Sequence, residues 1–188
     1  MDALITLLMS NTNAANAFGA LASAAAALLG LVVSAIAVGI SIWAVRSQRT
    51  HNELSVRPLA EVTVADYENS LRVKLCNNGT GPMIVTNVAV SDGSSGAKPC
   101  IVEWMPKLPN KRPWTTFSND LRDRTIQAGS EIVLIELIQY EGERNFSRLR
   151  DKVRAALAPL TVSVEYTDIY SKAMPIRVKD LSWFGRHK

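Results

Sequence analysis

Between Asp2 and Arg46 the chain runs 43 residues without one charged side chain, and immediately afterwards it turns basic. Its most apolar part, Ala17 to Val45, carries only Ser23, Ser34 and Ser41 as polar residues. Wound as a helix, that part would be roughly 44 Å long, more than the roughly 30 Å hydrocarbon core of a bilayer. The pattern predicts a single transmembrane helix over residues 17–45. A removable signal peptide fits poorly, because Met1–Asn16 contains no Lys or Arg and the apolar core is too long. A buried globular helix fits worse, since 29 residues exceed the usual length.

The flanks predict a direction. Asp2 and the asparagines Asn11, Asn13 and Asn16 precede the span; Arg46, Arg49, His51 and Arg57 follow it. The cationic end of a membrane helix stays in the cytoplasm. Residues 1–16 are therefore expected as a short extracytoplasmic segment, 46–56 as a basic juxtamembrane connector, and the C-terminal portion as cytoplasmic. Trp43, Arg46 and Arg49 form the expected membrane-interface set, with the indole at headgroup level. Ala3–Met9, ahead of the Asn-rich break, is either a helical extension or an interfacial segment.

Small residues recur along the span. Of the 26 residues from Gly19 to Ala44, 15 are Ala, Gly or Ser. Gly19, Ser23, Ala26, Gly30, Ser34, Ala37, Ser41 and Ala44 follow one another at intervals of three or four, which places them on one helical stripe. Small residues let two backbones approach closely in lipid. Gly19, Ser23, Gly30, Ser34, Ala37 and Ser41 are the candidate helix-association residues, although so Ala-rich a helix produces some such stripe by composition alone.

Residues 57–188 suit one soluble domain, with no linker or repeat inside them. Alternation of apolar and polar residues now dominates, the mark of strands with one buried face. Ala60-Glu61-Val62-Thr63-Val64 would turn its even positions inward, and Leu71-Arg72-Val73-Lys74-Leu75 its odd ones. Met83–Val90, Leu160–Tyr166 and Ile176–Lys179 read as further strands, as do stretches near Ile101–Trp104, Trp114–Phe117 and Glu131–Ile138. Asn77-Asn78-Gly79-Thr80-Gly81-Pro82, Asp92-Gly93 and Ala128-Gly129-Ser130 supply turns. Ile132-Val133-Leu134-Ile135, then Leu137-Ile138, is apolar on both faces, so a strand there needs cover on both sides. The spacing of Phe146, Leu149, Val153 and Leu157 predicts an amphipathic helix within Glu141–Leu157, stopped by Pro159 and placed to supply that cover. The expected architecture is mainly β: a seven- to eight-stranded antiparallel immunoglobulin-like β-sandwich with one crossing helix, preceded by the single N-terminal transmembrane helix.

Three segments carry a resemblance: Arg57-Pro58-Leu59, Leu75-Cys76-Asn77-Asn78-Gly79-Thr80-Gly81-Pro82, and Val164-Glu165-Tyr166-Thr167-Asp168-Ile169-Tyr170. Over roughly 57–182 the chain resembles a loosely defined, uncharacterised group of small bacterial membrane proteins. These combine one N-terminal helix with an immunoglobulin-like β-sandwich. Their pattern is an N-x-G-x-G-P turn and a late strand ending in Y-x-D-x-Y followed by Gly; here Ser171 replaces that Gly. The resemblance implies the fold and carries no activity.

The residues point away from catalysis. His51 and His187 lie outside the expected strands, which leaves no internal imidazole for a nucleophile–base pair. Cys76 and Cys100 stand 24 apart with no CxxC, so no zinc site is expected, and a reducing cytoplasm would keep both as thiols. Phosphate-binding glycine loops are missing from the sequence. No catalytic, metal or cofactor residues are assigned, and the sequons at Asn78 and Asn145 are read as chance.

Charge is the remaining signal. All 21 Lys and Arg lie at or after Arg46, against 16 acids, a net of +5 there. Lys107, Lys111 and Arg112 share a loop, while Arg144, Arg148, Lys152 and Arg154 share the polar side of the expected helix. Together they are a candidate basic surface, either for anionic headgroups or simply as solvated faces. Nucleic acid is not expected, because no aromatic platform is interleaved with the cations. Trp183-Phe184 near the C-terminus either packs on the sandwich edge or touches the bilayer or a partner. The sequence thus predicts a non-enzymatic, single-pass protein of the cell membrane. Its cytoplasmic sandwich would bind a protein partner as adaptor, sensor or accessory subunit. The competing expectation is an oligomerising membrane effector whose small-residue helix self-assembles under control of the sandwich.

Overall fold

A computed structural model of the protein describes residues 2–109 and 112–186, with side chains in the first helix from residue 12 onward. The first helix, α1, spans Asp2–Ser55. It is long and apolar enough to cross a membrane over part of its Thr12–Ser55 stretch. No break occurs at Asn11, Asn13 or Asn16, because Asn costs a helix only tenths of a kcal/mol. The expected connector 46–56 is helical too, up to Ser55. No Gly or Pro interrupts the chain between Gly39 and Pro58, and Thr50 returns its hydroxyl to the Arg46 carbonyl at 3.2 Å. Because α1 alone takes 54 residues, helix outweighs strand overall and the expectation of a mainly β chain holds only for the C-terminal domain.

The chain divides into two compact units, Met1–Asn52 and Glu53–Lys188. The second is built from antiparallel sheets. Its strands, among the described residues, are β1 (Ala60–Asp66), β2 (Ser70–Asn77), β3 (Met83–Ser91), β4 (Ala97–Lys98), β5 (Thr116–Phe117), β6 (Thr125–Ile126), β7 (Glu131–Ile138), β8 (Thr161–Thr167) and β9 (Arg177–Asp180). One sheet runs β1-β2-β7-β5; the other runs β4-β3-β8-β9, with β6 also paired to β3. The alternating residues of both sheets meet in one apolar core: Ala60 and Val62, Leu71, Val73 and Leu75, Val85, Val88 and Val90, Val162, Val164 and Tyr166. Ile101–Trp104 is a 3-10 turn and not a strand; it inserts Ile101 into the core.

The second helix, α2 (Phe146–Leu157), connects β7 of the first sheet to β8 of the second. Phe146, Leu149, Val153 and Leu157 are its buried stripe. It does not cover the outer face of β7. Its Arg150 guanidinium donates to the carbonyls of Tyr67 and Glu68, at 3.0 and 2.7 Å, so it caps the core where β1 turns into β2. The two-faced apolar run in β7 has another cause. The register against β2 slips between Val73 and Lys74, leaving Leu134 as an extra residue, and Leu134 and Ile135 are both buried.

Strand β9 reverses its expected phase. Lys179 stands opposite Val162 and Arg177 opposite Val164, the core-facing residues of β8. Directly opposed residues share a face, so the two cations lie on the core side at the sheet edge. Val178 and Ile176 are left 66% and 56% exposed on the outside. Leu181 continues the same phase and is fully buried, which pins it.

Candidate functional site

The N-x-G-x-G-P segment is more than a turn. Asn77 is fully buried, and its amide uses every polar position. Its Oδ1 accepts from the Leu59 and Gly79 backbone N–H groups at 3.2 and 3.1 Å. Its Nδ2 donates to the Gly81 and Ile126 carbonyls at 2.8 and 3.0 Å. The chain entering β1 is laid against this loop, with Asn78 N–H on the Leu59 carbonyl at 2.8 Å and Thr80 N–H on that of Arg57 at 3.1 Å. A Cβ on Gly81 would sit 1.7 Å from the Val56 carbonyl oxygen, and one on Gly79 2.4 Å from that of Arg57. The glycines are therefore required by close backbone approach. The loop is a socket for residues 56–59.

The Y-x-D-x-Y segment closes a second loop. Asp168 is buried and accepts from the N–H groups of Tyr170 and Lys172 at 2.8 and 2.9 Å. Ser171 occupies the left-handed region at φ 60°, the position where the resembling group carries Gly.

The six described members of the candidate basic set differ in their surroundings. Arg154 lies on the inner polar edge of α2, where its guanidinium grips Asp66 (Nη2 to Oδ1 2.8 Å, Nε to Oδ2 2.9 Å), a carboxylate whose side chain is 0% exposed. Arg186 joins the same carboxylate at 3.2 Å and stacks 3.3 Å from the Trp183 ring centroid. Phe184 fills the core beside them, so Trp183-Phe184 packs onto the domain. Arg112 is likewise internal. It pairs with Glu143, donates to the Ile138 carbonyl, and lies over Tyr140 with its carbon 4.4 Å from the ring centroid. Arg144, Arg148 and Lys152 remain exposed along the outer side of α2 and its approach, and Lys107 is exposed in its loop. Lys111 lies outside the described residues.

In the helical unit, Trp43, Arg46 and Arg49 are exposed, as are Gly19, Ser23, Gly30, Ser34, Ala37 and Ser41. Ser23 and Ser41 bond to the carbonyls of Gly19 and Ala37 at 2.9 and 2.8 Å, which turns their hydroxyls back onto their own helix. A Cβ on Gly19 or Gly30 would meet nothing within 4 Å.

Several surface groups are electrostatically tuned without forming a reactive centre. The N–H groups of Ser95 and Ser94 hold the Asp92 carboxyl at about 2, and the Arg122 guanidinium holds Asp120 at about 2. Lys74 lowers Glu131 on the outer face of the first sheet. Cys76 and Cys100 are free thiols; burial pushes Cys100 up, and its Sγ–H donates to Glu103 at 3.2 Å. Among the described residues no three His, Cys, Asp or Glu side chains converge as metal ligands.

What is left open is an edge. β1 and β9 are terminal strands of the two sheets, and a groove of about 310 Å³ runs between them. Leu59, Ala60, Glu61 and Val62 form one wall; Arg177, Val178 and Lys179 form the other. Sequence patterning marked a strand at Ile176–Lys179 but missed that its cations line a groove, because the partner wall lies over a hundred positions upstream. Fold and geometry together define a chain with one long apolar helix followed by an antiparallel β-sheet domain with an open lateral edge. No family model, curated protein or solved structure matches it.

Proposed function

We propose that this chain is a single-pass protein of the cell membrane, with its N-terminus outside and residues 46–188 in the cytoplasm. In this reading it presents an immunoglobulin-like β-sandwich as a non-enzymatic binding module, the adaptor, sensor or accessory subunit of a membrane complex. The carrying observation is the open edge of β9, beside the groove it forms with β1. Unpaired strand edges are ready templates for another chain. Membrane insertion is supported by the uncharged helix, and its direction by Trp43, Arg46 and Arg49 at one end.

The test is site-specific photocrosslinking in cells of the full chain, with the crosslinker at Val178 or, as control, at Arg148. A discrete adduct at Val178 that is missing from Arg148 is the expected result; no adduct at Val178 refutes the edge as the binding surface. For topology, a membrane-impermeant maleimide should label a C-terminal cysteine, placed in a Cys76→Ser, Cys100→Ser background, only after lysis. Labelling in intact cells overturns the inside placement.

One observation favours a second reading, the oligomerising effector. The stripe from Gly19 to Ser41 presents a smooth small-residue face, because Ser23 and Ser41 satisfy their hydroxyls internally. Replacing Gly30 and Ser34 with Leu should then abolish self-association in detergent while leaving the sheet domain folded. Unchanged association removes this reading.

A further inference from the structure

We infer that the β1/β9 groove takes an extended acidic segment of a partner protein, added to β9 as one more strand; this rests on the binding-module reading above. Backbone, side-chain phase and charge each contribute. The Leu181 N–H donates to the Leu160 carbonyl at 2.9 Å. Antiparallel ladders alternate bonded and non-bonded residues. Lys179 and Arg177 therefore direct their backbone groups to β8, and those of Val178 and Asp180 face the open edge. On β1 the bonds from Asn78 to Leu59 (2.8 Å) and from Tyr67 to Ser70 (2.7 Å) set the equivalent phase, but Ala60 and Val62 are only 2% and 5% exposed, so the accessible edge is that of β9.

Side chains select the occupant. Arg177 and Lys179 project from the core-facing side of β9 into the groove, and neither has an ion-pair partner among the described residues. Glu61, the acidic lining residue, is already engaged by the Asn78 amide. An incoming strand therefore meets two cations two residues apart on its groove face. On its other face it meets the exposed Val178 and Ile176. A segment with acidic residues at every second position and apolar residues between them satisfies both faces. A second copy of β9 would set Arg177 and Lys179 against themselves, so homotypic edge pairing is disfavoured and the occupant is a different, acidic chain.

The test uses the full chain in detergent micelles and short fluorescein-labelled peptides alternating Glu with Val or Lys with Val, read by fluorescence anisotropy. The Glu/Val peptide should bind saturably and the Lys/Val peptide should not. Arg177→Glu with Lys179→Glu should weaken the Glu/Val peptide about tenfold or more and confer binding on the Lys/Val peptide. Val178→Pro should abolish binding, because it removes a donor on the open edge while leaving the β8 ladder intact. Circular dichroism verifies that both variants are folded. The inference is overturned by absence of saturable Glu/Val binding, by equal binding of the two peptides, or by binding unchanged in either variant. If the Val178 crosslinked adduct persists in the charge-reversed chain, the module reading stands and the acidic-strand inference fails.

Discussion

Replacing Asn77 by Ala tests whether the socket loop, and not merely its turn propensity, holds the domain. The substitution removes four hydrogen bonds from a fully buried amide. The N–H groups of Leu59 and Gly79 are only partly buried, so water can replace their acceptor. The carbonyls of Gly81 and Ile126 lose buried donors. At about 1–3 kcal/mol per buried group left unpaired, those two set a loss of about 2–6 kcal/mol. A domain of this size has about 5–15 kcal/mol in all. Asn78→Ala is the matched control: its exposed amide reaches only the Glu61 carboxylate, and a change within about 0.5 kcal/mol is expected.

Asn77→Asp separates the two halves of the interaction. It keeps the oxygen that accepts from Leu59 and Gly79 but turns a second oxygen onto two carbonyls, so it should be at least as damaging as Ala. The assay is urea unfolding of the full chain in micelles, followed by near-UV circular dichroism of the domain aromatics. An Asn77→Ala midpoint matching that of Asn78→Ala, or wild-type stability in Asn77→Asp, would refute the reasoning.

Ser171→Gly should raise stability by about 1 kcal/mol by relieving the left-handed backbone at φ 60°, and Ser171→Val should lower it; thermal melts distinguish the two. Arg154→Ala leaves the buried Asp66 carboxylate with one exposed-side partner and should cost about 3 kcal/mol in denaturant melts, while Arg148→Ala on the outer side of α2 should change little. The Asp92 carboxyl, followed by NMR, should titrate near 2. Because its folded value lies below the ordinary 3.8, its contribution is present above that value and is lost as pH falls through about 2.

The legible part of this fold is the part with one dry face and one wet one. β1, β2 and β8 followed from alternation, and the stripe of α2 from a helical period, because in each case burial acts on the strand or helix's own spacing. Where an element answers to distant residues, spacing fails. Arg154 and Arg148 are indistinguishable charges along the sequence. Only the position of Asp66, 88 residues away, makes one a buried clamp and leaves the other in solvent. The same holds for the N-x-G-x-G-P segment. Its glycines announced a turn, but what they accommodate is the backbone of Val56–Leu59, about twenty positions upstream. Two-residue strands such as β4 and β6 carry too few positions to show any period.

The residues that hold the domain and those proposed to use it are largely distinct. The side chains of Asn77, Asp168 and Asp66 are buried, and those of Arg154 and Arg112 nearly so, each held by partners within the domain, so losing any of them acts first through folding. Arg177, Val178 and Lys179 are exposed on β9, and the cations there have no ion-pair partner to lose among the described residues. Cations on the core-facing side of an edge strand would bring no gain to an isolated domain beyond keeping copies apart. They gain an electrostatic role once an acidic chain lies in the groove. Loss of binding at these three positions without loss of stability, and loss of stability at the first five, is the separation this division of labour requires. If Arg177→Glu with Lys179→Glu instead lowered the unfolding midpoint by as much as Arg154→Ala, the edge would belong to the scaffold and the recognition argument would fall.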